Sequence, residues 1–178
     1  MKIGLIRHFE VDQPFLKGMV SQSEVLQWFK AYDTAPVIHS ELEMEEDWDI
    51  CYSSTLPRAR ETALKIVDKE IVFTDLLREP FPDPVFKREL KLPFLLWGLI
   101  IRSAILGNHS SQQEGRNQMI RRLQKFLESI QEHRDRSVLI VSHSFTLRLL
   151  SELLLREGFQ GSRLRTPKNG VLYTFKKE

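Results

Sequence analysis

Two histidines in the sequence follow short apolar runs that have the character of buried strands. His8 comes directly after Arg7 at the end of one run, and His143 ends another. An arginine, Arg58, lies shortly after a third apolar run. An imidazole can attack a phosphorus atom, and guanidinium groups bind phosphate oxygens through two parallel hydrogen bonds. These residue types at strand ends therefore indicate phosphoryl-transfer chemistry, with His8 as the nucleophile and the other three groups binding the phosphate.

The elements that must position these groups follow from the hydrophobic pattern. Short apolar segments predict strands at residues 2–6, 49–52, 70–73, 137–142 and 170–176. Apolar stripes, a capping box opened by Ser21 and a proline at a helix start predict helices at residues 21–32, 57–68, 112–133 and 145–156. Strands that alternate with helices predict a three-layer α/β/α fold with a mostly parallel central sheet. Ligands in such sheets bind at the carboxyl ends of the strands, where the candidate groups lie.

Three motifs in a fixed order carry a family resemblance. They are Arg7-His8 after the first strand, a Ser-Ser-x-Leu-x-Arg-Ala-x-Glu-Thr stretch at residues 53–62, and Ser142-His143 after a late strand. Together they resemble the histidine phosphatase superfamily, also called phosphoglycerate-mutase-like, over most of the chain. The resemblance implies a phosphomonoester hydrolase that needs no metal or cofactor and works through a phosphohistidine on His8.

The proton donor is predicted from a fourth segment. Leu77-Arg78-Glu79 follows the third predicted strand and resembles the Leu-x-Glu element that carries the proton donor in many family members. A carboxyl group near the leaving group can protonate a departing alkoxide. We therefore expect Glu79 to be the acid, with Glu10 and Asp12 as alternatives in the loop after the nucleophile. The alternative to a catalytic role is that Glu79 is a surface carboxylate that forms an ion pair with Arg78.

Two features depart from the family pattern or match it weakly. The family commonly has glycine directly after the catalytic histidine, whereas this chain has Phe9, whose side chain could narrow the phosphate pocket. Glu114 and Arg122 resemble residues that open a long helix in the family, but their flanking residues differ, and we expect a structural role for them. The departure at Phe9 bears on the substrate more than on the chemistry.

Other activities share the same core. A phosphoglycerate-mutase-type phosphotransferase returns the phosphoryl group to its substrate, and family mutases are typically longer than 178 residues, with tails that shield the site, so hydrolysis is preferred. A phosphoprotein phosphatase acting on phosphohistidine or phosphotyrosine is a second alternative. A catalytically weak phosphate-binding regulatory protein is a third, and Phe9 is the feature that favours it.

Residues 81–108 form an insertion that we expect to be a small, partly helical cap over the pocket. Its central part is apolar nearly all round, which a helix tolerates only if several faces are covered. We expect Trp97 to contact the substrate, and we expect bulky or aromatic phosphate esters to be preferred over small sugar phosphates. The same apolar cap is a candidate surface for a homodimer. The insertion also carries four cations that are solvated by default: Lys87, Arg88, Lys91 and Arg102.

Composition limits the remaining possibilities. The 178 residues predict a single domain, and 42% hydrophobic with 28% charged residues is typical of globular proteins. A net charge of +2, without basic blocks interleaved with aromatic residues, argues against nucleic-acid binding, so the expected partner is a small-molecule phosphate ester. The single cysteine, Cys51, is expected in the core. The remaining histidines fit no metal-ligand spacing: His39, His109 and His133.

No segment predicts membrane insertion or export. The start of the chain has no apolar signal-peptide core before a cleavage site, so we expect a cytoplasmic protein. Residues 92–106 are apolar but hold Pro93 and Arg102, and they fall short of the roughly 20 residues that a membrane-spanning helix needs. The acidic run 41–49 is expected to be a solvated loop without a function.

Overall fold

The structure is a computed structural model that describes residues 1–42, 44, 47–133 and 135–177. In chain order its elements are β1 (Lys2–Arg7), β2 (Glu10–Val11), β3 (Met19–Ser21), α1 (Gln22–Thr34), β4 (Val37–Ile38), β5 (Ile50–Ser54), α2 (Pro57–Ile66), β6 (Ile71–Thr74), β7 (Lys91–Pro93), α3 (Phe94–Leu106), α4 (Arg116–Ser129), β8 (Ser137–Ser142), α5 (Ser144–Arg156) and β9 (Leu172–Lys176). Short 3-10 helices follow β6 at Asp75–Leu77 and α4 at Gln131–His133.

Five strands form the larger sheet, in the order β6-β5-β8-β1-β9. The first four run parallel, and β9 pairs antiparallel with β1. The central strands β1 and β8 are buried along almost their whole length, as expected for parallel strands that helices cover on both faces. The alternation of strand and helix patterns therefore predicts the α/β fold correctly.

The parallel register brings four strand ends together. Arg7 at the end of β1 is opposite Ser142 at the end of β8, and Ser54 at the end of β5 is opposite Thr74 at the end of β6. Since β8 lies between β1 and β5, the segments that follow these strands start from one edge of the sheet.

Most predicted boundaries hold to within a few residues, and the differences have local causes. The last strand begins at Leu172 rather than residue 170 because Gly170 adopts a φ of 62° in a turn, and its N–H donates to the Arg7 carbonyl at 2.9 Å. Helix α4 begins at Arg116 rather than residue 112. Before it, the side-chain amide of Gln112 accepts from the Asp83 N–H and donates to the Asp83 carbonyl.

The predicted capping box is present at the start of α1. The Ser21 hydroxyl accepts from the Glu24 N–H at 3.2 Å, and the Glu24 carboxylate accepts from the Ser21 N–H at 2.7 Å. Pro57 occupies the first turn of α2, where a missing N–H costs no helical hydrogen bond. Both helix starts are therefore encoded locally in the sequence.

The chain divides into two compact units. The first consists of Met1–Val11, Pro36–Glu79 and Ile120–Glu178 and contains the five-stranded sheet, and Cys51 is buried in its core as predicted. The second consists of Asp12–Ala35 and Pro80–Met119. It holds helices α1 and α3 and the ribbon formed by β3 and β7. The insertion 81–108 is therefore partly helical, and its action as a cap stays a prediction.

The sequence analysis predicts no membrane insertion and no function for the acidic run 41–49. Among the described residues, no helix combines the length and apolar character that a membrane crossing requires. Of the acidic run 41–49, the side chains Glu43, Glu45 and Glu46 lie outside the described residues.

Candidate active site

His8 lies directly beyond β1, and its backbone N–H donates to the Ser142 carbonyl at 3.0 Å. The imidazole is almost completely buried, and its Nδ1 lies 2.6 Å from the Phe9 carbonyl oxygen. A carbonyl oxygen can only accept, so Nδ1 must carry the hydrogen. In the neutral ring the lone pair is consequently on Nε2, the atom that would attack a phosphorus atom.

Burial and neighbouring charge keep His8 neutral. Burial is the largest cause that lowers the pKa of His8 to about 3, followed by the positive charge of Arg58 and, more weakly, that of Arg7. The hydrogen bond to the Phe9 carbonyl opposes the shift but does not cancel it. At pH 7 the ring is therefore an uncharged base.

His143 is the second buried histidine, and it follows β8. Its ring centroid is 5.2 Å from that of His8, and its Nε2 is 2.8 Å from the Ser54 hydroxyl oxygen. Burial, followed by the charge of Arg58, holds the pKa of His143 well below its ordinary value. Its Nδ1 is buried without a hydrogen-bond partner among the described residues. When the Ser54 hydroxyl donates to Nε2, this Nδ1 carries a hydrogen that a phosphoryl oxygen can accept.

Two arginines supply positive charge beside the histidines. Arg58 lies in the first turn of α2 directly after Pro57 and is almost completely buried. A helix amino terminus favours anions through its N–H groups, and the guanidinium adds to this preference. Arg7 donates from Nη1 to the Pro167 carbonyl at 3.1 Å. Both guanidinium groups lower the pKa of the two histidines, which places all four groups in one electrostatic cluster.

Glu79 follows β6 and reaches the start of α5. Its Oε1 accepts from the Phe145 N–H at 2.7 Å, two residues beyond the second histidine. The side chain is partly buried, whereas the alternative donors Glu10 and Asp12 are exposed. Because Oε1 is bound to the helix start, Oε2 is the oxygen that would exchange a proton.

Two side chains hold the turn that carries Glu79. The Arg122 guanidinium donates to three backbone carbonyls of this turn, those of Asp75, Leu76 and Arg78, at 2.6–3.1 Å. The Ser142 hydroxyl donates to the Leu77 carbonyl at 2.6 Å. The guanidinium of Arg122 thus has the structural role expected of it, and Ser142 joins the end of β8 to the same turn.

Phe9, the residue that departs from the family pattern, is buried inside the first unit. Its N–H donates to the Thr62 hydroxyl, which donates in turn to the Arg58 carbonyl. The Phe9 ring lies edge-on to His39 and close to Gly170, where an added Cβ would be 3.0 Å from the ring. A phenylalanine after the nucleophile is accommodated because residue 170 has no side chain.

The structure brings Arg7, His8, Arg58 and His143 into one electrostatic cluster and adds other residues. Ser54 and Thr62 lie inside the 53–62 motif, but the motif alone indicates no separate role for them. The Asn169 side chain donates to the His8 carbonyl at 2.7 Å, and its sequence context, Asn169-Gly170, predicts only a turn. Trp97 belongs to the second unit, where it is fully buried and its indole N–H donates to the Val20 carbonyl at 2.8 Å. A contact between Trp97 and substrate stays a prediction.

The two buried histidines make stability depend on pH. Between about pH 3 and 6.5 the unfolded chain binds a proton at His8 that the folded chain does not bind, so folding becomes less favourable as the pH falls below 6.5. We expect the free energy of unfolding to fall by about 2 kcal/mol between pH 7 and 5 from His8 alone, and further in the same direction from His143.

Urea unfolding at pH 7 and pH 5 checks this, in a phosphate-free buffer because a bound anion would itself stabilise the folded protein. The variant His8→Asn should lose the His8 contribution and show a smaller pH dependence. Equal unfolding free energies of the wild type at the two pH values would contradict the buried neutral histidines.

Comparisons with known proteins agree with the observed fold. The sequence profile of the histidine phosphatase superfamily (branch 1) matches residues 5–176. Comparison with curated protein sequences finds no significant match. Among solved structures, the α-ribazole phosphatase from Shigella flexneri is 20% identical with a TM-score of 0.59, and the match covers 98% of this chain and 89% of that chain.

Two further structures show the same fold. The mycobacterial glucosyl-3-phosphoglycerate phosphatase is 16% identical with a TM-score of 0.59, covering 97% of this chain and 88% of that one. The phosphoserine phosphatase from Entamoeba histolytica, in complex with 3-phosphoglyceric acid, is 22% identical with a TM-score of 0.52, covering 97% and 89%. The family profile extends from β1 to β9 and so spans the whole five-stranded sheet. The chain therefore belongs to branch 1 of the histidine phosphatase superfamily.

Proposed function

We propose that the protein is a phosphomonoester hydrolase that forms a phosphohistidine on His8. The observation that carries this proposal is the hydrogen bond from Nδ1 to the Phe9 carbonyl, which leaves the lone pair of a buried, neutral ring on Nε2. The neighbouring charges of Arg58 and Arg7 favour a bound dianion over a bound cation. The three structural relatives named above are all phosphatases by name.

In the first step His8 Nε2 attacks the phosphorus atom, and the bond from phosphorus to the ester oxygen breaks. The departing alkoxide takes a proton from Oε2 of Glu79, so an alcohol leaves and Glu79 becomes a carboxylate. The two arginines and the Nδ1–H of His143 bind the equatorial phosphoryl oxygens and stabilise their negative charge in the transition state.

In the second step water attacks the phosphohistidine. The Glu79 carboxylate accepts a proton from this water, the bond from phosphorus to Nε2 breaks, and inorganic phosphate leaves. His8 returns to its neutral form and Glu79 to its protonated form, so atoms and protons balance over the cycle. These groups supply the nucleophile, the charge and the proton, so we propose that the reaction needs no metal ion.

The apolar character of the insertion supports a proposal for the substrate class. We propose that residues 81–108 select bulky or aromatic phosphate esters. We also propose that the reaction takes place in the cytoplasm. Trp97 fills the interior of the second unit, so an alanine there would remove packing as well as any contact with substrate. Trp97→Phe is the better variant for a selectivity test, since it retains most of the side-chain volume.

Hydrolysis of matched esters tests both the activity and the acid. The wild type should release phosphate from aryl and alkyl phosphates at rates that EDTA leaves unchanged. In Glu79→Gln, kcat/KM for alkyl phosphates should fall by about two to four orders of magnitude, because a poor leaving group must be protonated as it departs. For p-nitrophenyl phosphate the loss should be less than about tenfold, since its phenolate leaves without a proton.

Glu10→Gln is the matched control, because Glu10 is the alternative proton donor that lies nearest to His8 in the sequence. This variant should have the wild-type kcat/KM for both the alkyl and the aryl phosphates. Equal losses of kcat/KM on alkyl and aryl esters in Glu79→Gln would show that Glu79 is not the proton donor. A larger loss on alkyl than on aryl esters in Glu10→Gln would assign that role to Glu10. Failure of the wild type to hydrolyse any ester would refute the hydrolase itself.

A further inference from the structure

Helix α3 has an exposed face that is apolar over its first two turns, with Arg102 and Ser103 exposed further along. Leu95 and Leu99, one turn apart, are 78% and 62% exposed, and Leu96 is exposed beside them. The opposite side of the same helix, with Trp97 and Ile101, is buried. Because the inner side already packs within the unit, the outer leucines are a second apolar surface that core packing does not explain.

The apolar surface continues beyond α3. Strand β7 leads directly into α3 and pairs with β3, so that Met19 is opposite Pro93, and both are exposed. The exposed Phe15 lies against Phe94, with ring centroids 5.6 Å apart. We call this surface the α3 patch and define it by five exposed side chains: Phe15, Met19, Leu95, Leu96 and Leu99.

The chain segment that carries most of the α3 patch is rich in positive charge. Residues 84–104 contain four cations and one acid, Glu89, and all four cations are exposed. Lys91 is in β7 itself. The hydrogen bonds from Ser21 lower the pKa of Glu24, and the nearby charge of Lys91 lowers it further. Arg102 lies two turns from Leu95 on the exposed side of α3. The cations are Lys87, Arg88, Lys91 and Arg102.

This composition disfavours a second copy of the chain as the occupant. A two-fold dimer brings the same patch of both copies into one interface, so the cations of the two copies would be brought close together. Protein interfaces are also depleted in lysine, and leucine is under-represented among their strongest contacts. Leucine and phenylalanine bordered by lysine and arginine are instead typical of surfaces that bind the boundary between lipid headgroups and acyl chains.

We propose that the α3 patch docks on the surface of an anionic lipid bilayer. Leu95, Leu96 and Leu99 enter the headgroup region, and the flanking cations bind the negative lipid headgroups. The helix lies in the plane of the membrane and does not cross it. This inference does not depend on the proposed phosphatase activity.

Sedimentation with lipid vesicles tests the proposal. The full-length protein should sediment with vesicles of equal parts phosphatidylcholine and phosphatidylglycerol, and only weakly with vesicles of phosphatidylcholine alone. Replacing Leu95 and Leu99 together by serine should lower the affinity for the anionic vesicles at least about tenfold. Replacing Lys87, Arg88 and Lys91 together by glutamine should lower it by about a hundredfold, since each charge near an anionic surface contributes.

Leu64→Ser is the matched control. Leu64 is 60% exposed, comparable to Leu99, but lies on α2 in the other unit. It should leave vesicle binding unchanged, and circular dichroism of all variants should match the wild type. The proposal is overturned if the wild type does not sediment with anionic vesicles, or if binding survives the double leucine variant. It is also overturned if gel filtration shows a dimer that this variant dissociates while vesicles bind neither protein.

Discussion

The variant His8→Ala should lose essentially all phosphatase activity while retaining its fold. The variant has no atom that can attack phosphorus, and the lone pair that the Phe9 hydrogen bond leaves on Nε2 is lost. We expect kcat to fall by about five to six orders of magnitude, as when a nucleophile that acts together with its partners is removed. The measurement is phosphate release from p-nitrophenyl phosphate, together with a circular dichroism spectrum.

Direct observation of the intermediate strengthens this test. Wild-type protein mixed with a phosphate ester and quenched in alkali should carry one added phosphoryl group, which acid then removes, as expected for a phosphohistidine. His39→Ala is the matched control, because His39 is a partly exposed histidine in the same unit that lies edge-on to Phe9. Retention of most of the rate in His8→Ala, or phosphorylation of that variant, would exclude His8 as the nucleophile.

The variant Arg58→Ala should lower kcat/KM by about two to three orders of magnitude. Its guanidinium is buried at the amino terminus of α2, where charge acts more strongly than in water. His143→Ala should lower kcat/KM by about two to four orders of magnitude, by analogy with the loss of a group that binds transition-state charge. Arg60→Ala is the matched control, since Arg60 is on the same helix and lies over the Phe73 ring, 3.8 Å from its centroid.

A second measurement distinguishes direct electrostatics from a folding defect. Arg58 lowers the pKa of His8, so its removal should raise that pKa. A histidine titration followed by NMR in phosphate-free buffer should show the shift in Arg58→Ala and no shift in Arg60→Ala. An unchanged His8 pKa with full activity in Arg58→Ala would place Arg58 outside the site.

The groups that carry the chemistry could be predicted because their signals are local. His8 and His143 each follow an apolar run, and parallel strands of one sheet end at the same edge. The helix starts at Ser21 and Pro57 are also encoded within a few residues. Five strands, the main helices, the two histidines and the two arginines therefore follow from pattern and family resemblance.

The supporting hydrogen bonds could not be predicted, because they join residues that are far apart in the chain. Asn169 is 161 residues from His8, whose carbonyl it binds, and Ser142 is 65 residues from Leu77. Short strands such as β3 and β7 are too brief to show an alternating pattern. The packing of Phe9 against Gly170 likewise depends on tertiary contact and not on the local sequence.

The order of strands in the sheet has a consequence for how the chain folds. β8 lies between β1 and β5, although Lys2 and its partner Ser137 are separated by most of the chain. A ribosome therefore completes β1 and β5 long before the strand that joins them exists. Until β8 emerges, each has an unpaired edge, and such edges pair readily with other chains. Folding of the sheet is consequently late and non-local, and the newly made chain carries these unpaired edges while the residues between β5 and β8 are synthesised.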